Sequence, residues 1–287
     1  MRIVTTVLAA LIVLGLAGCG AVREWPRDDA NAAANAANAA ARRAPEPVSS
    51  VHLAFGNPSK ATADAADRDN FLIVGEGSAI SYNNSRGTAN WVAWRTTRED
   101  LGSKLQRPDF RPDPRSPAGF ARIAYFDYSG SGYNRGHLLP SADRFGDATR
   151  NEETFFMTNI VPQTGSLNQY PWETLESYSR RLVRNGNDVY TIAGVYGDKG
   201  RIKNKITVPT NCWKVVIVLP RGRGAADVNE RTRVIAVDMP NTDGLDNQRW
   251  ERYRTTVREI ERRTGYDLLD ALPKALQDTL ETRIDGQ

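Results

Sequence analysis

The residue types best suited to chemistry are concentrated in one short run, Ser-Gly-Tyr-Asn-Arg-Gly-His at positions 131–137. Arg135 offers a planar guanidinium that can bind phosphate through two hydrogen bonds. His137 has an ordinary pKa that lets it take a proton at neutral pH. A proton acceptor beside a phosphate binder is the minimum that a phosphodiesterase needs. The alternative is a surface loop with a hydrogen-bonded histidine. His52, the other histidine, is interpreted as structural.

A second group of polar residues follows on a predicted helix that spans residues 168–185. Asn168 lies at its start, and Glu176 and Arg180 are four residues apart, so these two side chains share one helix face. The helix thus presents an amide oxygen, a carboxylate and a guanidinium. The alternative interpretation is a helix start with a surface salt pair, which contributes little stability.

The pattern of apolar residues predicts a mixed fold. Six strand-like segments are found at residues 71–74, 79–82, 91–95, 189–195, 212–219 and 232–237. Two further helices are predicted near residues 247–264 and 273–284. Strands and helices that do not alternate regularly indicate an α+β fold, with a central antiparallel β-sheet flanked by helices.

The N-terminal region has the features of an export signal. Residues 1–18 include an apolar stretch too short to span a bilayer, and Leu16-Ala17-Gly18-Cys19 is similar to a bacterial lipobox. We interpret residues 1–18 as a lipoprotein signal peptide and Cys19 as the lipidated first residue, with an ordinary signal peptide or a short membrane anchor as alternatives. Residues 19–47 are rich in Ala, Asn and Pro and are predicted to be a tether. The folded domain is then residues 48–287, held to a membrane outside the cytoplasm, in the periplasm or at the cell surface.

The composition of the chain restricts the possible functions but does not by itself indicate one. The formal net charge of the 287 residues is +4, too small to indicate nucleic-acid binding by itself. Basic residues are in excess between positions 94 and 122, and four more lie close together: Lys199, Arg201, Lys203 and Lys205. Such runs are common on solvated surfaces, so they only support other observations. Cys212 is the one cysteine beyond Cys19, which excludes an intramolecular disulfide in the mature chain. We predict that it is a strand residue.

Several sequence blocks, most of them without an obvious catalytic role, resemble one enzyme family. They cover nearly all of residues 50–284 and are found at positions 50–53, 81–85, 87–94, 110–113, 129–137, 140–144 and 157–164. In these blocks the chain is similar to the DNA/RNA non-specific endonucleases of the ββα-metal, or His-Me finger, class, and in particular to the sugar-non-specific nucleases of cyanobacteria. The resemblance implies a metal-dependent phosphodiester hydrolase with the ββα-metal motif at its active site.

The resemblance also implies roles for individual residues. His137 matches the general base that deprotonates the attacking water. Asn168 matches the protein ligand of a single Mg²⁺, which Mn²⁺ could replace. Glu176 matches the carboxylate that orients the waters around the metal, and Asn134 and Asn159 are expected to support the metal site. Three arginines match those that flank the site or stabilise phosphate charge: Arg111, Arg135 and Arg180.

The chain departs from the family pattern at one position. The residue before Arg-Gly-His is most often Asp in this family, whereas this chain has Asn134. An amide keeps the shape and one acceptor oxygen, but it lacks the charge that strengthens hydrogen bonds to waters around a metal. We therefore expect weaker Mg²⁺ affinity or a slower enzyme, since the base, the ligand and the arginines are all present.

Three functions compete on these grounds. The first, which we favour, is a membrane-tethered endonuclease that cuts DNA and RNA with little sequence preference, because phosphate contacts carry no base information. The resemblance further implies products with 5′-phosphates and leaves a protein inhibitor as an additional partner. The second is a weakened or inactive nucleic-acid-binding lipoprotein, with Asn134 marking a decayed site. The third is a structural or adhesive envelope lipoprotein, which leaves His137, Asn168 and Glu176 unexplained.

Overall fold

The computed structural model describes residues 50–287. The predicted signal peptide, Cys19 and the tether lie outside the described residues, as do the first two residues of the predicted domain. Within residues 50–287, no helix is both long enough and apolar enough to cross a membrane.

A seven-stranded, fully antiparallel sheet forms the centre of the described part of the chain. Its spatial order is β1-β2-β3-β6-β9-β10-β11. The strands are β1 (Phe71–Val74), β2 (Ala79–Asn83), β3 (Thr88–Thr96), β6 (Asn187–Tyr196), β9 (Asn211–Pro220), β10 (Arg233–Pro240) and β11 (Arg254–Thr255). Two small ribbons lie outside this sheet. They are β4 (Asn134–His137) with β5 (Ile160–Gln163), and β7 (Arg201–Ile202) with β8 (Ile206–Thr207).

The predicted α+β class is confirmed, and each of the six predicted strands corresponds to a strand whose ends differ by a few residues at most. Both faces of the sheet are buried, so its central strands read as nearly continuous apolar runs rather than as alternating ones. In β9, Val216 packs into the core on one face, whereas Val215 and Ile217 pack into the core on the other. Cys212 is buried on β9, as predicted.

The helices are α1 (Ala148–Glu153), α2 (Gly165–Leu167), α3 (Glu173–Arg184), α4 (Val257–Thr264) and α5 (Lys274–Leu280). A π-turn, Asn168–Trp172, joins α2 to α3, and we call these three consecutive elements the site helix. The site helix begins three residues before the predicted start at Asn168. Pro171 explains the π-turn, because it has no N–H to donate and its ring would clash with the carbonyl of a regular α-helical turn.

Two predicted helices near the C-terminus are shorter than expected. The segment predicted as helix from residue 247 contains a 3₁₀ turn at Trp250–Tyr253 and strand β11, and α4 begins only at Val257. Thr256 sets this start, since its hydroxyl accepts a hydrogen bond from the Glu259 backbone N–H at 3.1 Å. The prediction for residues 247–256 was wrong because pairing of β11 with β10 outweighs the local helix preference. Helix α5 ends at Leu280 rather than near residue 284.

The ribbon of β4 and β5 is placed directly against the site helix. His137 pairs with Ile160 across the ribbon, and the His137 backbone carbonyl accepts a hydrogen bond from the Trp172 indole N–H at 3.1 Å. Gly136 allows the close packing inside the ribbon, since a Cβ there would lie 2.0 Å from the Gln163 side chain. Two strands followed by a helix therefore bring the glycine-flanked histidine next to the helix that carries Asn168.

Candidate active site

A cleft of about 570 Å³ opens between the β4–β5 ribbon and the site helix. Four of the residues predicted to form the site line this cleft together: Arg135, His137, Asn168 and Glu176. The first two come from β4 and the last two from the site helix, 31 or more positions further along the chain. The structure thus brings together a proton acceptor, a guanidinium, an amide and a carboxylate that are separated in sequence.

His137 lies in an apolar part of the cleft wall. Its ring packs against Phe110 and Phe155, with ring centroids 5.4 Å and 5.1 Å away. Burial, and then the positive charge of Arg107, lower the pKa of His137 to about 3. Its Nε2 is buried without a hydrogen-bond partner among the described residues. The ring is therefore neutral at physiological pH and keeps an unsatisfied nitrogen, which costs stability and is typical of a reactive group.

Asn168 and Glu176 both line the cleft from the site helix. The Asn168 backbone N–H donates to the Thr164 carbonyl at 3.0 Å, which fixes the residue in the helix, while its side-chain amide makes no hydrogen bond with any described residue. Glu176 uses Oε1 to accept a hydrogen bond from Lys214 at 3.3 Å. An uncommitted amide oxygen beside a carboxylate is a donor set that suits a hard, largely hydrated divalent cation. The residues present therefore fit the metal that the family resemblance implies.

Lys214 is a site residue that the sequence interpretation missed. It lies on β9 with its side chain only 2% exposed, and its ammonium is 4.0 Å from the centre of the Trp172 ring. Burial raises the pKa of Glu176 and lowers the pKa of Lys214. For both residues, desolvation therefore shifts the pKa more than the attraction between the two charges does. The available signal was a single charge within the otherwise apolar run of β9.

Arg180 belongs to the same buried charge group and does not line the cleft. Its guanidinium donates to Asp143 at 3.1 Å and to the Ser177 hydroxyl at 2.9 Å. Asp143 also accepts a hydrogen bond from the Trp94 indole N–H at 3.0 Å. The interpretation of residues 176 and 180 as a surface salt pair was wrong, because both side chains are largely buried and each has a different partner.

Three other predicted residues lie outside the cleft wall. Arg111 is ion-paired with Glu152 at 2.8 Å, and its guanidinium lies 4.9 Å from the centre of the Phe156 ring. Asn159 binds the backbone of Leu139 through both its amide oxygen and its amide nitrogen, so it shapes the chain that follows His137. Asn134 lies beside Gly165, at the start of the site helix.

Arg107, and not Arg111, lies near His137 in the cleft. It lines the cleft, and its guanidinium lies 5.2 Å and 5.5 Å from the centres of the Phe110 and Phe155 rings. It was recognised in the sequence only as one of several basic residues between positions 94 and 122. His52, by contrast, binds the Glu76 carbonyl and the Arg95 N–H with its two ring nitrogens, which agrees with a structural role.

The Lys214–Glu176 pair gives a prediction about stability. Lys214→Met keeps the length and apolar stem of the side chain but leaves the Glu176 carboxylate buried without its ammonium. We expect the free energy of unfolding at neutral pH to fall by about 3 kcal/mol in urea denaturation. Lys214→Met combined with Glu176→Gln should recover most of this loss, because no unpaired charge is then buried. A double variant no more stable than the single one would contradict this account.

Comparison with known proteins shows the family to which this chain belongs. The family model of the DNA/RNA non-specific endonucleases matches residues 57–275. A nuclease of Nostoc sp. (strain PCC 7120) is 46% identical over 242 residues, which are 84% of this chain and 88% of that protein. Mitochondrial endonuclease G of Homo sapiens is 32% identical over 205 residues, 66% of each chain. The nuclease of Serratia marcescens is 30% identical over 226 residues, 75% of this chain and 80% of that protein.

A solved structure shows the same fold. A chain in a crystal structure of the EndoG/EndoGI complex, which concerns the inhibition of EndoG, matches with a TM-score of 0.66 at 22% identity. The match covers 83% of this chain and 97% of that one. Together with the family match over residues 57–275, these relatives identify the chain. It belongs to the family of DNA/RNA non-specific endonucleases, which are metal-dependent hydrolases, and it is a nuclease.

Proposed function

We propose that this protein is a Mg²⁺-dependent endonuclease that hydrolyses both DNA and RNA to products with 5′-phosphates, without regard to base or sugar. The observation that carries the proposal is His137, a neutral histidine with an unpartnered nitrogen in the cleft that also contains Asn168 and Glu176. Mn²⁺ has the same preference for oxygen ligands and could take the place of Mg²⁺.

The division of roles follows from where each side chain lies. His137 accepts the proton of the attacking water, since burial keeps its imidazole neutral. Arg135 and Arg107 bind the phosphate and neutralise the charge that grows on it, because both residues line the cleft. Asn168 would hold the divalent cation and Glu176 would orient the waters around it, and the cation when bound supplies further stabilisation of negative charge. Contacts with phosphate carry no base information, so little sequence preference is expected.

The first test removes the base. In the full chain, we expect His137→Ala to lower the cleavage rate of plasmid DNA and of RNA by about 10²–10⁴-fold, and EDTA to abolish cleavage by the wild type. The matched control is His52→Gln, which alters the other histidine and should leave the rate within about twofold. The wild-type rate should not decline near pH 6.5, the ordinary pKa of histidine, because His137 stays neutral well below that pH.

Each outcome of this test is informative. Cleavage that survives EDTA or His137→Ala would overturn the proposed mechanism. Retention of nucleic acid without any cleavage by the wild type would instead favour a binding lipoprotein with a decayed site.

Asn134 provides a second test. Asn134→Asp adds a negative charge beside the site helix, so we expect the Mg²⁺ concentration that gives half-maximal rate to fall by about tenfold. Asn134→Leu keeps the size of the side chain without an acceptor oxygen and should raise that concentration. The measurement is the initial cleavage rate across a Mg²⁺ titration. Equal metal dependence in all three proteins would show that position 134 does not act on the metal site.

We further propose that the nuclease acts outside the cytoplasm as a lipoprotein anchored through Cys19, in the periplasm or at the cell surface. The similarity of residues 16–19 to a lipobox supports this location. We expect Cys19→Ser to move the protein from the detergent phase to the aqueous phase in a phase-partitioning experiment on bacterial cells. An unchanged distribution would argue against a lipid anchor.

A protein inhibitor is a further partner that we propose for this nuclease. The support is the fold shared with EndoG, which was crystallised with EndoGI. Such an inhibitor would have to cover the cleft formed by β4 and the site helix. It should therefore protect His137 and Asn168 from solvent in hydrogen–deuterium exchange of the complex, and protection confined to other surfaces would contradict this placement.

A further inference from the structure

Two aromatic side chains, Tyr125 and Phe126, are exposed side by side near the cleft. Each is 55% exposed, and within residues 50–287 they are the only exposed large apolar residues that are neighbours in the chain. Their ring centroids are 5.7 Å apart and the ring planes meet at 76°. We call these two residues the aromatic corner. Neither side chain has a role in the mechanism above.

The aromatic corner stands on a fixed turn rather than on a loose loop. Both residues belong to the 3₁₀ turn Tyr125–Tyr128, whose last two residues are buried. Asp127 accepts a hydrogen bond from the Ala124 backbone N–H at 2.9 Å, and the Tyr128 hydroxyl donates to the Ile160 carbonyl at 3.4 Å. A rigid turn that holds two rings in water lowers the entropy lost when a ligand binds to them.

Contacts with Arg135 make the aromatic corner continuous with the cleft. The Arg135 guanidinium donates to the Tyr125 carbonyl at 3.2 Å and also lies 5.3 Å from the centre of the Phe110 ring. That ring in turn packs against His137. Because Arg135 lines the cleft and also contacts Tyr125, a strand whose phosphate lies in the cleft passes close to the aromatic corner.

Two lysines also contact the turn that carries the aromatic corner. Lys203 donates to the Phe126 carbonyl at 2.8 Å, and Lys205 is ion-paired with Asp127 at 3.0 Å. Both lysines lie in the turn between β7 and β8, and the mechanism does not use them. Aromatic faces between basic side chains match a ligand that has flat rings on an anionic backbone.

We propose that the aromatic corner binds unpaired bases of the nucleic-acid strand whose phosphate lies in the cleft. This inference rests on the proposed function, because it assigns the substrate a second contact. Bases in a duplex are stacked on each other and leave their faces hidden, whereas single-stranded bases can stack on Tyr125 and Phe126. The surface therefore favours single-stranded or locally opened substrate without reading its sequence. An anionic membrane surface would suit aromatic rings and lysines too, but it does not explain the link to the cleft through Arg135.

The experiment compares three versions of the aromatic corner in the full chain carrying His137→Ala, which slows cleavage. Binding is measured by the fluorescence anisotropy of a labelled oligo-dT of about 16 nucleotides and of a duplex of equal length. Tyr125→Ala with Phe126→Ala should raise the Kd for oligo-dT by about tenfold or more, and that for duplex by less than about twofold. Tyr125→Leu with Phe126→Leu, which keeps apolar area but removes the rings, should behave like the alanine pair. Tyr125→Phe, which keeps the ring, should bind like the parent.

The outcomes separate this inference from the proposed function. If the leucine pair binds oligo-dT as well as the parent does, or if duplex affinity falls equally, base stacking is overturned. A loss of binding only to vesicles containing phosphatidylglycerol, tested on the chain with Cys19→Ser, would assign the surface to a membrane and would also overturn it. The proposed function is tested separately, on the wild type, which should cut plasmid DNA. Failure of the wild type to cut plasmid would contradict the proposed function while leaving the binding result interpretable.

Discussion

The Lys214–Glu176 ion pair joins the middle of the seven-stranded sheet to the site helix, and the geometry of the cleft depends on it. Both charges are removed from water. Burial raises the pKa of Glu176 and lowers the pKa of Lys214, and each shift favours the neutral form of that residue. A pair of apolar side chains of similar volume could pack in the same space at no greater cost. The benefit of the ion pair is that it places a carboxylate at a fixed point of the cleft wall, where an apolar side chain could do no chemistry.

The proton acceptor and the oxygen ligands are attached to the same core by different routes. His137 is held through its backbone, by pairing with β5 and by the hydrogen bond from Trp172. Glu176 is held through its side chain, by Lys214 on β9. Because Trp172 also packs its ring against the Lys214 ammonium, one tryptophan contacts both halves of the site. A change at Trp172 would therefore disturb the acceptor and the carboxylate together.

Much of the fold and part of the site could be predicted from the sequence. The sheet strands are visible as apolar runs, and His137, Asn168 and Glu176 stand in motifs that resemble a known family. Lys214 could not be predicted, since its partner lies 38 residues away and a lysine inside an apolar run carries no sign of what it faces. Arg107 and Arg111 are four residues apart in one proline-rich segment, and contacts with Phe155 and Glu152, distant in sequence, decide which of them lines the cleft.

The π-turn at Asn168–Trp172 has a geometric consequence for the residues on either side of it. In a regular α-helix, two residues eight positions apart differ by about 80° around the axis. A π-turn contains about one residue more than an α-turn, so Asn168 and Glu176 behave as if they were seven positions apart and differ by only about 20°. The additional residue thus aligns the amide with the carboxylate above one cleft. Conversion of this turn to regular α-helical geometry, with no residue lost, would rotate Asn168 by about 100° relative to Glu176, with every side chain of the site still present.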